Sequence, residues 1–372
     1  MNILNIIQCA NLGGMEQSSL RLMKALQIRG HSLQLISLNP IAGLGPLLSQ
    51  SGIQACGLDY AHDGWARTAL QVRRMVANSD AEALILTGHN LPATMALFGV
   101  GPKRKLFAVH YYHQGVMPSW RWWLIYQLAV QVFQTITFPS DYVRREAEVI
   151  CPSIAAIAET VRNPIEIPPL PSKLQSNTLR VQYGIPHDAP IIGNAGRLID
   201  NKRFDVFLRV AAKIHQFHPN IHFLIAGDGE ERGDLEALAA DLGLYSVTHF
   251  TGWLSDLDPF YAAIDVLLFN SDWDCFPTTP IEAMAHGIPV VASLLHGGLR
   301  EILDERNGWF MDKHDEELLC YNVLEALGSE GKSRGIVARR IVCEFSDPHI
   351  IAERIEQKLS ENYIRSNFLG LF

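Results

Sequence analysis

Short apolar runs closed by turn residues recur along the chain: ILNIIQ (3–8), SLQLISL (32–38), IQACGL (53–58), EALILTG (82–88), KLFAVH (105–110), QTITFPS (134–140) and AAIAETV (155–161). Between the first two, Met15, Leu20, Leu22, Met23, Leu26 and Ile28 fall near a helical period over residues 15–29. Strand and helix in alternation predict a parallel sheet covered on both faces. A proline-rich stretch, NPIEIPPLPSKLQSN (163–177), then breaks the rhythm and reads as a linker. The alternation restarts with PIIGNAGR (190–197), IHFLIAGDG (221–229), VTHFTGW (247–253), DVLLFNS (265–271), IPVVAS (288–293) and GWFMD (308–312). Helices are expected near 203–217, 231–242, 280–286 and 315–328, and residues 347–365 read as a polar amphipathic helix. The pattern predicts an α/β protein of two tandem doubly wound domains, 1–168 and 169–346, followed by a helical segment over 347–372. In such sheets ligands sit beyond the carboxyl ends of the strands, so the loops after each strand are where chemistry is sought.

Composition narrows the class. At 372 residues, 48% hydrophobic and 19% charged, the chain suits two folded domains and excludes a disordered one. Six scattered cysteines without a CxxC fit reduced thiols and a cytosolic setting better than disulfides or a zinc site. MNILNIIQCA has no basic leader region, so no signal peptide is expected. The most apolar run, 122–138, is interrupted by Gln127, Gln131 and Gln134 and predicts a buried helix and strand rather than a membrane span. Charge is uneven. Residues 1–165 hold 13 basic and 9 acidic side chains (+4) and the rest 18 and 30 (−12), which sum to the net −8. Two surfaces with different partners would follow from such a split.

Four post-strand loops carry candidate chemistry. In NLGGMEQS (11–18), Gly13 and Gly14 open a helix and could offer amide groups to an anion; the plain alternative is a tight turn with Glu16 in the first helical turn. In NAGRLIDNKRF (194–204), Arg197 and Lys202 follow Gly196 in an otherwise acidic domain, a fork and a point charge suited to a diphosphate. In DWDCFPTTPIEAMAHG (272–287), two acids stand eight apart, Asp274 and Glu282. Local physics accounts for Glu282 as a capping box with Thr279 at the N-cap and Pro280 first in the helix, but it leaves Asp274 and the Phe276-Pro277 kink unexplained. The fourth loop, SLLHGGLREIL (293–303), repeats a Gly-Gly after a strand, with Glu301 in the ensuing helix.

Taken in order, GGMEQS, NAGRLIDNKRFD, IAGDGEERGDLEALAADLGL, FTGW, DCFPTTPIEAMAHGIPVVAS and HGGLREI resemble a retaining glycosyltransferase of family 4, and the resemblance covers essentially the whole chain. It implies a GT-B architecture: two Rossmann-like domains facing across a cleft, acceptor-side first and nucleotide-sugar-binding second, with the C-terminal helical segment packing back on the first. It also implies that Arg197 and Lys202 hold the leaving diphosphate, with Gly13, Gly14 and Gly196 offering close backbone. Asp274 would touch donor-sugar hydroxyls and Glu282 the ribose, with Phe276, Pro277 and Thr278 shaping the loop between them. His110, with His113 as rival, would line the donor sugar. The family's paired acids are both glutamates, so Asp274 departs by one methylene, and Cys275 stands where glycine is usual.

The expected reaction moves a sugar from a nucleotide-diphosphate donor, with UDP favoured, to a hydroxyl with retention, and needs no cofactor and no metal because the two cations supply the positive charge. A glycan or lipid-linked acceptor would meet the basic first domain, as in bacterial-type surface polysaccharide or glycolipid synthesis. PSWRWWLIYQ (118–127) makes an anionic membrane surface a candidate partner, reached from the cytoplasmic side. Nucleic acid is not expected. Two alternatives stand beside this reading: a nucleotide-sugar epimerase of the same architecture, which would act without an acceptor, and a non-catalytic nucleotide-sugar-binding subunit.

Overall fold

The structure is a computed structural model that describes residues 1–88, 90–100, 105–109, 118–169 and 178–360. The chain forms two compact units, Met1–Pro164 with the segment from Pro348 onward, and Ile165–Asp347. The first boundary falls inside the proline-rich stretch, four residues before the expected 168.

The first unit is built on seven parallel strands: β1 (Asn2–Ile7), β2 (Ser32–Ser37), β3 (Gln54–Gly57), β4 (Ala83–Thr87), β5 (Lys105–Val109), β6 (Thr135–Phe138) and β7 (Ala158–Thr160). Their order is β3-β2-β1-β4-β5-β6-β7, so the sheet reverses direction between β1 and β4. Apart from Asn2, their residues fall within the runs that the apolar pattern marked; β1 and β4 are buried as strands covered on both faces need to be, whereas β3 is exposed along its length. The Gly14–Ile28 helix seals one face through Leu22, Met23 and Leu26. The Pro348–Ser360 helix packs on it with Ile351, Ala352, Ile355 and Leu359, pinned by ion pairs from Arg29 to Glu356 (2.5 Å) and Lys358 to Glu159 (2.8 Å).

The Ser119–Val132 helix takes the tryptophan-rich segment. Trp122 is fully buried, whereas Trp120 is 60% exposed and Trp123 and Leu124 also face solvent. The neighbouring Leu91–Leu97 helix exposes Leu91 and Met95, and Phe98 at its C-terminal end is exposed too. Only one of the three tryptophans is therefore core, and the segment is not the wholly buried helix that its composition predicted.

The second unit holds six parallel strands: β8 (Ile191–Ala195), β9 (His222–Ala226), β10 (Thr248–Gly252), β11 (Val266–Asp274), β12 (Val290–Gly297) and β13 (Trp309–Met311). Their order, β10-β9-β8-β11-β12-β13, reverses between β8 and β11. Two apolar clusters cover the sheet, one including Phe260, Ile281 and Met284, the other Phe204, Phe207 and Leu319. The loops after β8 and β11 thus open at the switch point of this sheet, where such folds bind ligands.

Candidate functional site

Close backbone approach shapes the loop after β8. Gly227, at φ +145°, lies so near Gly196 that a β-carbon there would come within 1.8 Å of the Gly196 carbonyl oxygen. The glycines after β8 and β9 therefore press two turns together where a side chain cannot fit. Arg197 follows directly, exposed and without an ion pair among the described residues. The turn Asp200–Lys202 is then tied to the tip of β11: Ser271 donates to the Asn201 carbonyl (2.9 Å) and the Asn201 amide donates to the Trp273 carbonyl (3.3 Å).

That anchoring brings Lys202 onto Asp274. Its ammonium donates to Asp274 Oδ2 in a largely buried ion pair, and it also lies 5.8 Å from the centre of the Phe269 ring. Sequence reasoning assigned these two side chains to different parts of one ligand; they are each other's partner. Arg203, the next residue, adopts a left-handed backbone (φ 48°, ψ 44°), which costs a non-glycine residue about 1–2 kcal/mol. Its Nε and Nη2 donate to the two oxygens of Asp205, each at 3.0 Å, and Nη1 reaches Asp272 at 3.3 Å. Burial works against the Asp205 charge, yet the hydrogen bonds from Arg203 and Arg209 outweigh it and hold the carboxyl at about 2. Asp272 also meets His314 Nε2 (3.0 Å), and His314 Nδ1 lies 2.6 Å from the Ser293 hydroxyl.

β11 runs three residues beyond its expected end. Trp273 pairs with His296 and Asp274 with Gly297, where a β-carbon would sit 1.9 Å from the Asp274 carbonyl oxygen. The Gly298 amide then donates to the Cys275 carbonyl at 3.1 Å, so the third and fourth loops are joined through their backbones. Glu301 ends a short 3₁₀ turn, Leu299–Glu301, rather than sitting inside an α-helix. Phe276 is 2% exposed and belongs to the core, so its side chain anchors the acid loop.

The expected capping box does not form. The helix is Thr278–Ala285, with Pro277 at its N-cap and no side chain capping it. The Thr279 hydroxyl donates instead to the Ala195 carbonyl (3.0 Å), stitching this helix to the end of β8. Glu282, 9% exposed, accepts from the Tyr261 hydroxyl at 2.9 Å. Tertiary partners took both groups that local sequence offered to each other.

In the first unit Gly13 is the N-cap of the Gly14–Ile28 helix and Gly14 its exposed first residue. Glu16 folds back over them: a β-carbon on Gly13 would meet its Oε2 at 2.4 Å. The Cys9 thiol donates to Glu16 Oε1 (3.0 Å), and burial together with that carboxylate pushes the thiol up to about 12, which makes it inert. His110 and His113 lie outside the described residues. Sequence reasoning passed over Arg203, Asp272, His314 and Tyr261; the alternation of Asp272, Trp273 and Asp274 directly after an apolar run was the available sign that the strand continued.

The chain is similar to several known proteins. Residues 175–342, the bulk of the second unit, match the family described as Glycosyl transferases group 1. A lipopolysaccharide core biosynthesis glycosyltransferase, LpsE of Rhizobium meliloti (strain 1021), is 34% identical over 171 residues, covering 45% of this chain and 49% of the relative. A D-inositol 3-phosphate glycosyltransferase of Xylanimonas cellulosilytica is 34% identical over 179 residues, covering 46% and 42%. The chain spans about half the length or less of the curated relatives it matches. Among solved structures, HepE of Anabaena in complex with UDP and glucose superposes with a TM-score of 0.83 at 20% identity, over 97% of this chain and 100% of that one. WaaG, a glycosyltransferase involved in lipopolysaccharide biosynthesis, gives 0.71 at 15% identity over 97% and 100%. At these identities the likeness establishes the fold, the GT-B architecture of two parallel-sheet Rossmann-like units.

Proposed function

We propose that the protein is a retaining glycosyltransferase of family 4 that moves a sugar from a nucleotide-diphosphate donor, with UDP favoured, onto a hydroxyl of a glycan or lipid-linked acceptor. The single observation that carries the reading lies in the second unit. The Lys202–Asp274 pair and the exposed Arg197 stand at the carboxyl ends of parallel strands flanking the switch point, inside the stretch that matches Glycosyl transferases group 1. The UDP named with HepE and the lipopolysaccharide role named for LpsE support the donor and the class of acceptor.

On this reading the break at the anomeric carbon sends negative charge onto the departing phosphate. Arg197 presents a planar fork and Lys202 a fixed ammonium to receive it, so the site requires no metal. Each such donor is worth about 2.7–4 kcal/mol when it is in place before the reaction. Asp274 holds Lys202 until the ligand arrives and then shares it with the sugar hydroxyls. Glu282, fixed by Tyr261, accepts from the ribose. Neither acid acts as a general base: in a front-face displacement the leaving phosphate takes the acceptor's proton.

Trp120, Trp123 and Leu124, with Arg121 among them, form an exposed apolar and basic strip on the first unit. It suits an anionic membrane surface, where a lipid-linked acceptor resides. No described helix is long and apolar enough to cross a membrane. The test is to incubate the full chain with a panel of nucleotide sugars, with and without acceptor glycolipids, and follow nucleotide release. Acceptor-dependent release of UDP is expected. Binding of no nucleotide sugar at millimolar concentration would remove the proposal, and epimerised donor without acceptor would replace it.

A further inference from the structure

Arg203 is the one non-glycine residue with a positive φ among the described residues, and it joins the Asp200–Lys202 turn to the Phe204–Phe217 helix. In that region an L side chain crowds its own backbone, so the conformation persists only where the surroundings over-determine it. No side chain caps the helix start; the backbone is held there by the Arg203 amide on the Asp200 carbonyl (3.0 Å) and by the Arg203 carbonyl, which accepts from Val206 (3.1 Å). The guanidinium adds a clamp from outside the turn. Two of its nitrogens grip Asp205 in the first turn of the helix, each at 3.0 Å, and the third reaches Asp272 on β11 at 3.3 Å.

Asp272 is itself a fixed anchor, because His314 holds it at 3.0 Å and Ser293 holds His314. Ser293 is fully buried and accepts from the Asn270 amide at 2.7 Å. Asp272 and Asp274 are two residues apart on one strand and so share a face. The adjacent cations Lys202 and Arg203 are laid onto these alternate acids, Arg203 on Asp272 and Lys202 on Asp274. An ordinary right-handed residue at 203 would turn the chain differently and carry Lys202 off this register.

We propose that Arg203 is a positioning residue: its clamp on Asp205 and Asp272 holds the preceding turn in the one conformation that sets the Lys202 ammonium for a nucleoside diphosphate. This rests on the reading of Lys202 as a phosphate ligand. Arg203 touches no ligand and acts through its neighbour. Glycine at 203 would still reach the left-handed conformation without strain and keep its backbone bonds, but the side-chain clamp to Asp205 and Asp272 would be gone.

The test is a double-mutant cycle on the full chain, with UDP as titrant and affinity read by calorimetry. Lys202→Ala is expected to weaken UDP binding tenfold or more. Arg203→Gly is expected to weaken it roughly fivefold in the native background, within the coupling range of neighbouring residues, and less than about twofold when Lys202 is already alanine. Equal losses in both backgrounds would make Arg203 a structural residue only, and no loss in the native background would do the same; either result overturns the proposal. Unchanged affinity in Lys202→Ala alone would instead remove Lys202 from the site and take this inference with it. Should Arg203→Gly melt out, Asp272→Asn takes its place with the same expected dependence on Lys202.

Discussion

The two units share one architecture but furnish the strands on either side of their switch points with different chemistry. In the second unit that region is crowded with paired charges: Lys202 with Asp274, Arg203 with Asp205 and Asp272, Arg209 with Asp205 and Glu316. The first unit has after β1 two glycines and a buried Glu16 bonded to a thiol, and between β1, β4 and the Gly14–Ile28 helix a buried neutral network in which Asn5 donates to Ser19 (2.7 Å) and accepts from Thr87 (2.9 Å). A charged ligand of fixed geometry needs cations held at fixed points, and ion pairs with well-anchored acids supply that preorganisation. The neutral groups of the first unit are buried and satisfy one another. The parallel sheet sets where the ligand goes, and the residues at its rim decide what kind of ligand it is.

The sharpest way to break that contrast is Lys202→Ala. If the second unit is the anion-handling one, turnover with a UDP-sugar falls by about 10²–10³ while the protein stays folded, with a lower thermal midpoint because Asp274 loses its partner. The loss should appear in kcat as well as in donor affinity, because the ammonium faces a charge that grows in the transition state. A loss under threefold would show that the rim charges serve structure alone.

The buried strands were legible because burial on both faces forces continuous apolar runs, and apart from Asn2 and the polar extensions at the tips of β11 and β12 every strand lies inside a marked run; the exposed β3 followed from its place in the alternation. Of those extensions only the alternation of Asp272, Trp273 and Asp274 gave a sign. Residues 272–274 look like loop, and they remain in the strand because Gly297, far along the chain, leaves room for the Asp274 carbonyl. The reading of Thr279 and Glu282 as a capping box was sound as local physics, yet Ala195 and Tyr261 claimed both groups. Lys202 and Asp274 could each be singled out by type and place, but not as a pair, because 72 residues separate them and only the switch point of the sheet brings them together.

A second test asks whether Glu282 belongs to the ligand or only to the core. Glu282→Ala should weaken UDP binding roughly tenfold and also lower stability, because a buried hydrogen bond to a charged group is worth about 1.5–3 kcal/mol. Tyr261→Phe removes the same 2.9 Å bond and leaves the carboxylate in place. It should reproduce most of the stability loss with little change in affinity. Matching affinity losses in the two variants would assign the effect to folding.

The first unit is tested on its surface. Trp120→Ala with Trp123→Ala should lower partitioning onto vesicles containing anionic lipid by roughly fivefold, the size expected for withdrawing part of two apolar side chains from an interface. Transfer to a soluble acceptor should be unaltered, because both rings face solvent. Equal vesicle binding by the variant and the native chain would remove the membrane from the first unit's role.

Acid separates the units most gently. His249 is half-buried against His222, with the two rings stacked at 5.4 Å and a 3.1 Å contact between their nitrogens. Burial, reinforced by His222, drives its value from 6.5 down to about 4. An unfolded chain would therefore take up the proton near 6.5, while the folded one resists until about 4. Stability from this pair is complete above 6.5 and is lost progressively as the pH falls through that window. Asp205 extends the loss further down, from 3.8 towards about 2, as its bonds to Arg203 and Arg209 fail. Both groups belong to the second unit, so limited proteolysis between pH 6.5 and 4 should cut residues 165–347 before the first unit. His249→Phe should flatten the fall in the melting midpoint across that window. An equally steep fall in the variant would move the acid sensitivity elsewhere and leave the two units alike in this respect.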